Sequence, residues 1–303
     1  MPPRTTGTPA VAFVTSAWQR DWTVVLDPAR FRMVVESHQH DFPIRLVVLN
    51  NFNTPAEAAR ARGRAEALVT AGLATQVVVA QELLTDAVLA GFGLDPQTFW
   101  QRNPWFSTAH LAALHALWGR ADWMFYQSGD VWLERPAQWL PGALAALAEV
   151  PELRGLNLCR NIYRDHYPRN CERETEALWI SSWWGGRARQ PGDKAPGFCL
   201  SDHAYLIPVA PAPGWHFAFT DAELAPFHHY WPAYARPCFE MLYNLAMRRQ
   251  GFHHAALKPD ASGRPLTKHK SFPKAALAKL WLYRTLGFYR PGGRLGTRPD
   301  RAG

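Results

Sequence analysis

The chain has 303 residues, of which 48% are hydrophobic and 19% charged, which is enough for one large domain or two modest ones with a proper core. No uncharged stretch approaches the roughly 18 residues that cross a bilayer, and the apolar piece at residues 10–14 is too short for a secretory signal. A soluble, cytoplasmic protein is therefore expected. The four cysteines form no CxxC pair, which argues against a structural zinc site or a redox motif.

The formal net charge of +8 comes from the end of the chain. Residues 258–303 contain eleven Lys or Arg and two Asp, so this segment carries +9 and the remainder −1. Its composition is typical of a nucleic-acid-binding tail or of a helix that lies on an anionic membrane, and a closing helix of the domain is the plain alternative. No recognition motif accompanies the cations, so a specific nucleic-acid partner is not expected.

Alternating strands and helices are predicted for the first 150 residues. Three short apolar strands are expected, at residues 11–15, 44–51 and 76–81. The helix after the second strand has the clearest ends, because Thr54 and Glu57 form a capping box and Gly72 can terminate it. This order of elements predicts a mostly parallel sheet with right-handed helical crossovers.

A fourth strand is predicted to begin at Trp123 and to end at Asp130, on the sequence SGD at residues 128–130. A helix over 107–118 precedes it, with Ser107 as its expected N-cap. The carboxyl ends of parallel strands form the edge at which α/β sheets bind ligands. A carboxylate there, next to a glycine that lets a ligand approach, suits Mg²⁺ or Mn²⁺, and a plain turn or helix cap is the alternative.

The clean alternation fades after the next predicted helix, at residues 141–149. Another helix is expected over 237–250, with Gly251 as its stop. Between these helices, Trp183 and Trp184 stand side by side in the sequence WISSWWGG. Indole rings can stack on the apolar faces of sugars, so the pair is a candidate acceptor platform, with core packing as the alternative.

Three segments of the first half resemble a GT-A glycosyltransferase, particularly the family-2-like inverting enzymes that use nucleotide-sugar donors. They are LVVLNN at residues 46–51, the helix STAHLAALHALW with the glycine after it, and the strand WMFYQSGDVWL. The resemblance implies that Asp130 binds a divalent cation, Mn²⁺ or Mg²⁺, that bridges the donor diphosphate. Ser128 stands where the family has a first Asp, and His110 where it often has Asn.

The resemblance also implies roles for residues elsewhere in the chain. The expected contacts of the nucleotide sugar are Thr15, Asn51, His110, Ser128 and Gly129. Glu240 resembles the second acid of the family's helix-start pair and is the expected catalytic base, with Asp221 and Glu223 as rivals. His269 is expected to complete the metal or diphosphate shell, while a surface role or a phosphate site formed by its flanking lysines is the alternative.

A single GT-A-like catalytic domain is therefore expected over residues 1–257, with an α/β, Rossmann-like, mostly parallel sheet flanked by helices. Its nucleotide-sugar-binding half spans 9–150, its less regular acceptor-binding half spans 151–257, and a basic, helical C-terminal extension follows at 258–303. In a lipid-directed version of this hypothesis, residues 273–303 contact the inner face of the membrane peripherally.

The expected activity is transfer of a sugar from a nucleotide-sugar donor to a hydroxyl of a glycan or glycolipid acceptor, with inversion and divalent-cation assistance. Surface glycan or glycolipid synthesis is the expected setting. Two alternatives remain open: a protein that binds nucleic acid or anionic membranes through its basic tail, and a catalytically silent GT-A-like protein.

Overall fold

The computed structural model describes residues 9–101, 105–129, 131–133, 135–160, 167–168, 171–181, 200, 203–210, 216–220, 222–223, 238–259 and 266–269. The strands are β1 (Val11–Ala17), β2 (Ile44–Leu49), β3 (Gln76–Val79), β4 (Trp123–Gln127), β5 (Val131–Leu133), β6 (Leu153–Arg160), β7 (Arg173–Glu174), β8 (Leu178–Ser181), β9 (Ala204–Pro208), β10 (His253–Leu257) and β11 (Leu266–His269). The helices are α1 (Trp22–Val25), α2 (Pro28–Glu36), α3 (Pro55–Thr70), α4 (Ala80–Leu83), α5 (Asp86–Gly91), α6 (Pro96–Gln101), α7 (Trp105–Leu117), α8 (Leu140–Ala148) and α9 (Phe239–Arg249).

One sheet runs through the whole described chain, in the order β3-β2-β1-β4-β9-β6-β10-β8-β7. The first four strands of this order are parallel to one another. Beyond them, β9 lies antiparallel between β4 and β6, and β10 is parallel to β6. Apolar cores cover both faces of the sheet, with α7 and α9 on one side and α2, α3 and α8 on the other. The predicted α/β class, with a parallel sheet flanked by helices, is confirmed.

The first half follows its local sequence signals closely. The near-continuous aliphatic run of β2 is buried at its last four positions, as expected for an interior parallel strand. In the following helix, Thr54 Oγ1 accepts a hydrogen bond from the Glu57 amide at 3.2 Å, and Gly72 has φ of +68° just after the helix. Both ends of α3 were therefore predicted correctly.

Two predicted boundaries near the fourth strand were wrong. The helix before it begins at Trp105, so Ser107 is a buried residue inside α7 and not its N-cap. The strand ends at Gln127 instead of Asp130, although the Ser128 amide still donates to His203 O, next to β9. The Val131 amide donates to Ser128 O, and this bond turns the chain before β5 begins.

Sequence patterns indicated none of the strands β6 to β10, although the sheet is continuous across the second half. Gly155 and Asn157 interrupt the apolar run of β6, and β10 contains two His and two Ala, of which Ala has low strand propensity. Strands β6, β8, β9 and β10 form because each is paired on both sides and largely buried, whereas β7 is an exposed edge strand that pairs with β8. The predicted tail helix at 273–286 lies outside the described residues.

Part of the basic extension, strand β11, pairs with β5 and with β6. Among the described residues, no helix combines the length and apolarity needed to cross a membrane. Of the described cysteines, Cys159 and Cys238 are buried and Cys171 is partly exposed.

Candidate functional site

The candidate site lies at the carboxyl edge of the parallel strands. Ala17 at the end of β1 pairs with Leu49 at the end of β2, and Val14 pairs with Tyr126 near the end of β4. The residues that follow these ends therefore emerge along one edge. This is the edge at which open α/β sheets bind ligands.

A small hollow at this edge brings together Thr15, Ser128 and Gly129, three residues predicted to contact a nucleotide sugar. Its other lining residues are Phe13, Val25, Arg30, Phe31, Val34 and Val131. Thr15 and Ser128 contribute hydroxyl groups, while the floor is apolar. The geometry suits a ligand group that accepts hydrogen bonds, supported on a rigid strand.

Arg30 is a residue of this hollow that sequence reasoning missed. Its Nη2 donates to Gly129 O at 2.8 Å, and its guanidinium carbon lies 5.7 Å from the centroid of the Trp132 ring. It is the one charged side chain in the described lining, and it is positive. Its contact with Gly129 spans 99 positions, and no local pattern in α2 distinguishes it from the exposed Arg32.

Asp130 lies outside the described residues, but the chain on both sides of it is described. The neighbouring strand β11 runs antiparallel to β5, with His269 opposite Val131 and Lys268 opposite Trp132. The backbone of His269 is thus paired with the residue that follows Asp130. Within the described part of the chain, no group of three or more His, Cys, Asp or Glu could hold a metal ion.

Two consecutive asparagines follow β2 and differ in their surroundings. Asn51 has φ of +54°, is partly exposed, and accepts a hydrogen bond from Gln81 Nε2 at 3.1 Å. Asn50 is buried, and its Oδ1 has no hydrogen-bond partner. Because a buried acceptor without a partner is destabilising, Asn50 is a further candidate contact that sequence reasoning missed.

His110 lies in an aromatic cluster on the α7 side of the sheet. Its Nδ1 is 2.5 Å from the Tyr205 hydroxyl, and its ring stacks on Phe239 with centroids 4.8 Å apart. It also contacts Tyr126, whose hydroxyl is 2.7 Å from Ser16 Oγ near the end of β1. The cluster thus connects the end of β4 with the first residue of α9.

Glu240 follows Phe239 in the first turn of α9. The residue is partly exposed, while its Oε2 atom is buried. The N-cap residue, Cys238, forms no side-chain hydrogen bond to the helix. The helix dipole favours an acidic group in this first turn. The structure therefore places the predicted base on the helix that packs against α7.

Glu223, one rival base, is occupied by other contacts. Its Oε1 accepts from Arg249 Nη2 at 2.5 Å, and its Oε2 accepts from the Thr220 amide at 2.8 Å. These bonds, with Arg249 the largest contribution, lower the pKa of Glu223 to about 2. A carboxylate that is held and acidified in this way is a poor proton acceptor at neutral pH.

The pKa of Glu223 is expected to rise toward its ordinary value near 4.5 in an Arg249→Met variant. Because the folded-state pKa is depressed, the stabilisation from this carboxylate is complete above its ordinary pKa and is lost as pH falls toward 2. Carbon NMR of the Glu223 carboxyl during an acid titration measures the change. Arg248→Met is the matched control, and an equal pKa rise in that variant would contradict the assignment to Arg249.

The remaining predicted site residues lie outside the described chain. They are Asp221, the other rival base, and the tryptophans of the candidate acceptor platform, Trp183 and Trp184. The side chain of His269 is likewise outside it, although its backbone is in β11.

Several solved structures of nucleotide-sugar enzymes are similar to this chain. A mannosyltransferase from Pyrobaculum calidifontis, in complex with GDP-Man and Mn²⁺, has a TM-score of 0.47 and 14% identity, over 97% of this chain and 67% of its own. UTP-bound UGPase from Acinetobacter baumannii has a TM-score of 0.43 and 11% identity, over 94% of this chain and 96% of its own. Mannosyl-3-phosphoglycerate synthase from Rubrobacter xylanophilus has a TM-score of 0.38 and 14% identity, over 96% of this chain and 77% of its own.

The GT-A resemblance noted in the sequence is found again among these solved structures. No family model and no curated protein matches the chain. Because all three TM-scores are below 0.5, the function proposed next rests on the sheet edge and not on these similarities.

Proposed function

We propose that the protein is a glycosyltransferase that moves a sugar from a nucleotide-sugar donor to a hydroxyl group of an acceptor, with inversion at the anomeric carbon. The donor binds along the carboxyl edge of β1, β2 and β4. Thr15, Ser128 and Gly129, which line one hollow there, contact its polar groups.

The observation that carries this proposal is the buried, unpartnered Oδ1 of Asn50 at the end of β2. An acceptor in this position can receive a hydrogen bond from an N–H group of a nucleotide base or from a ribose hydroxyl. Binding of a nucleotide would satisfy it and remove the cost of burying it alone. Asn51, whose Oδ1 is already bonded to Gln81, lies next to it on the exposed side.

A divalent cation at the same edge is part of this proposal. Asp130, which precedes β5 in the sequence, and His269 of β11 would supply its oxygen and nitrogen donors, since Val131 is paired with His269. When bound, Mn²⁺ or Mg²⁺ neutralises the negative charge of the leaving diphosphate. Arg30, held on Gly129 O, would supply a second and permanent positive charge at this edge.

Glu240 acts as the general base, with Asp221 as the alternative. The carboxylate takes the proton of the acceptor hydroxyl as its oxygen attacks the anomeric carbon. The new carbon–oxygen bond forms while the bond to the donor diphosphate breaks, so the nucleoside diphosphate leaves with the bonding electrons. Attack from the face opposite the leaving group gives inversion.

The acceptor is a glycan or glycolipid, and Trp183 and Trp184 provide its stacking surface. Residues 273–303 contact the inner face of the membrane peripherally when the acceptor is lipid-linked, because Lys and Arg alternate there with Leu, Trp and Tyr. The reaction then takes place in the cytoplasm, in surface glycan or glycolipid synthesis.

A thermal-shift screen against UDP-, GDP-, dTDP- and CMP-sugars, with and without Mn²⁺, tests the proposal. One nucleotide class is expected to stabilise the protein, by about 2.7 kcal/mol at a ligand concentration of about 100 times Kd. Asn50→Ala is expected to abolish most of this stabilisation. Asn51→Gly is expected to retain the stabilisation, because glycine adopts the positive φ of this position without strain.

Two outcomes of the screen would contradict the proposal. In the first, none of the four nucleotide classes shifts the melting temperature, and the protein binds generic oligonucleotides in a strongly salt-dependent way. This combination would favour a role of the basic tail. The second is a shift that Asn50→Ala leaves intact, which would remove Asn50 from the binding site.

A further inference from the structure

Three buried polar side chains lie next to the turn that joins β4 to β5. They are His38, which follows α2, Gln127, the last residue of β4, and Trp139, which precedes α8; all are 2% exposed or less. The His38 ring packs against Phe125 and Phe42 with centroids 4.8 and 5.9 Å away. Burying polar groups in such an apolar setting costs free energy unless they form hydrogen bonds.

The hydrogen bonds at both ends of this group have a defined direction. Trp139 Nε1 donates to His38 Nδ1 at 3.0 Å, so the neutral imidazole carries its hydrogen on Nε2. Burial lowers the pKa of His38 to about 3, which keeps the ring neutral. At the other end, Gln127 Nε2 donates to Val131 O at 2.9 Å, which directs the Gln127 Oε1 atom away from the turn.

The two remaining polar atoms are complementary. His38 Nε2 and Gln127 Oε1 are both buried, and neither meets a hydrogen-bond partner in the described structure. The first is a donor in this tautomer and the second is an acceptor. The Gln127 side chain raises the pKa of His38, against the larger lowering by burial, as expected for an acceptor that faces the ring.

We propose that His38 Nε2 donates to Gln127 Oε1, so that Trp139, His38 and Gln127 form a directional hydrogen-bond relay that fixes the backbone on both sides of Asp130. The relay runs from the Trp139 indole N–H through the His38 imidazole and the Gln127 amide to Val131 O. His38 and Gln127 are therefore positioning residues for the edge site, and Trp139 sets the tautomer on which the order of donors and acceptors depends.

The relay acts at a sensitive point of the chain. Gln127 and Val131 are bridged across Ser128, Gly129 and Asp130, and Val131 is also the residue paired with His269. Loss of the amide bridge would free both the turn and the strand pairing at once. Ligand-binding groups must be held close to their productive geometry, so a loosened turn lowers affinity without touching the ligand. This consequence for binding rests on the proposed function, whereas the relay itself does not.

The test compares Gln127→Met, which keeps the volume but removes the amide, with Phe42→Leu, which disturbs the packing around the same imidazole and leaves the relay intact. Amide hydrogen exchange of residues 129–133 is expected to be about tenfold faster in Gln127→Met than in the Phe42→Leu control. Trp139→Phe serves as a second variant. In Trp139→Phe, proton–nitrogen NMR of the His38 ring is expected to show a mixture of tautomers. The wild type is expected to show only the Nε2–H form.

The outcomes separate the relay from the proposed function. Equal exchange in Gln127→Met and Phe42→Leu, or an unchanged tautomer in Trp139→Phe, would overturn the relay. If the relay variants behave as expected while the wild type binds none of the screened nucleotide sugars, the relay stands and the proposed function fails. If the wild type binds one of them, about tenfold weaker binding by Gln127→Met is expected, and unchanged affinity would reject the positioning role.

Discussion

A Gly129→Ala variant is expected to lose about 1–3 kcal/mol of unfolding free energy, because the added methyl group overpacks the contact between the SGD turn and α1. A Cβ atom at Gly129 would lie 2.1 Å from Val25 Cγ2 and 3.1 Å from Val25 Cγ1. Val25 is buried and short, so it cannot move aside as a long side chain could. Urea denaturation, with donor affinity measured in parallel, gives the size of both effects.

A double-mutant cycle with Val25→Ala identifies the cause of that loss. Val25→Ala removes both γ-carbons and leaves a small cavity, so on its own it also destabilises, by about 2 kcal/mol. In the double variant the new methyl group occupies part of the vacated space. The free energies are therefore expected to be non-additive, with a favourable coupling of about 1–2 kcal/mol.

Gly142→Ala is the matched control for the glycine substitution. Gly142 lies in α8, no atom lies within 4 Å of a Cβ built there, and alanine is the better helix former. The variant is expected to be as stable as the wild type or slightly more so. Strict additivity of Gly129→Ala and Val25→Ala would show that the glycine is required for a reason other than its contact with Val25.

The parts of the fold that could be predicted from sequence are those determined by local interactions. The cap of α3 depends on Thr54 and Glu57, three residues apart, and β2 is recognisable because its residues are aliphatic without interruption. Thr15 in β1 and Ser128 just after β4 line one hollow, since these two parallel strands share a carboxyl edge.

The rest of the site depends on contacts between distant positions. Arg30 reaches Gly129 across 99 residues, and Trp139 reaches His38 across 101. Asn50 and Asn51 are identical in type, and only their burial distinguishes the unpartnered amide from the bonded one. Such differences arise from tertiary packing, and a single sequence does not contain a local signal for them.

Glu240→Gln is expected to lower kcat by about 10²–10⁴-fold while the affinity for the nucleotide-sugar donor stays unchanged. The amide has nearly the shape of the carboxylate but cannot accept the proton of the acceptor hydroxyl. Asp130→Asn is expected to show the opposite pattern, with weaker donor binding in the presence of Mn²⁺, because it reduces the charge that attracts the cation. Steady-state kinetics, with donor affinity measured separately by calorimetry, distinguishes the two.

Glu223→Gln is the control that separates a base from a structural carboxylate. Its carboxylate is engaged by Arg249 and Thr220, so its loss is expected to affect stability and to leave kcat within about twofold of the wild type. If Glu240→Gln retained full kcat while Asp221→Asn lost it, the proton would be taken by the acidic residue before α9 and the assignment of Glu240 would be wrong. If every variant bound the donor and the wild type transferred no sugar to any acceptor, the chain would be a nucleotide-sugar-binding protein. Ser128, which stands where the family has its first Asp, would then leave the cation too weakly bound for catalysis.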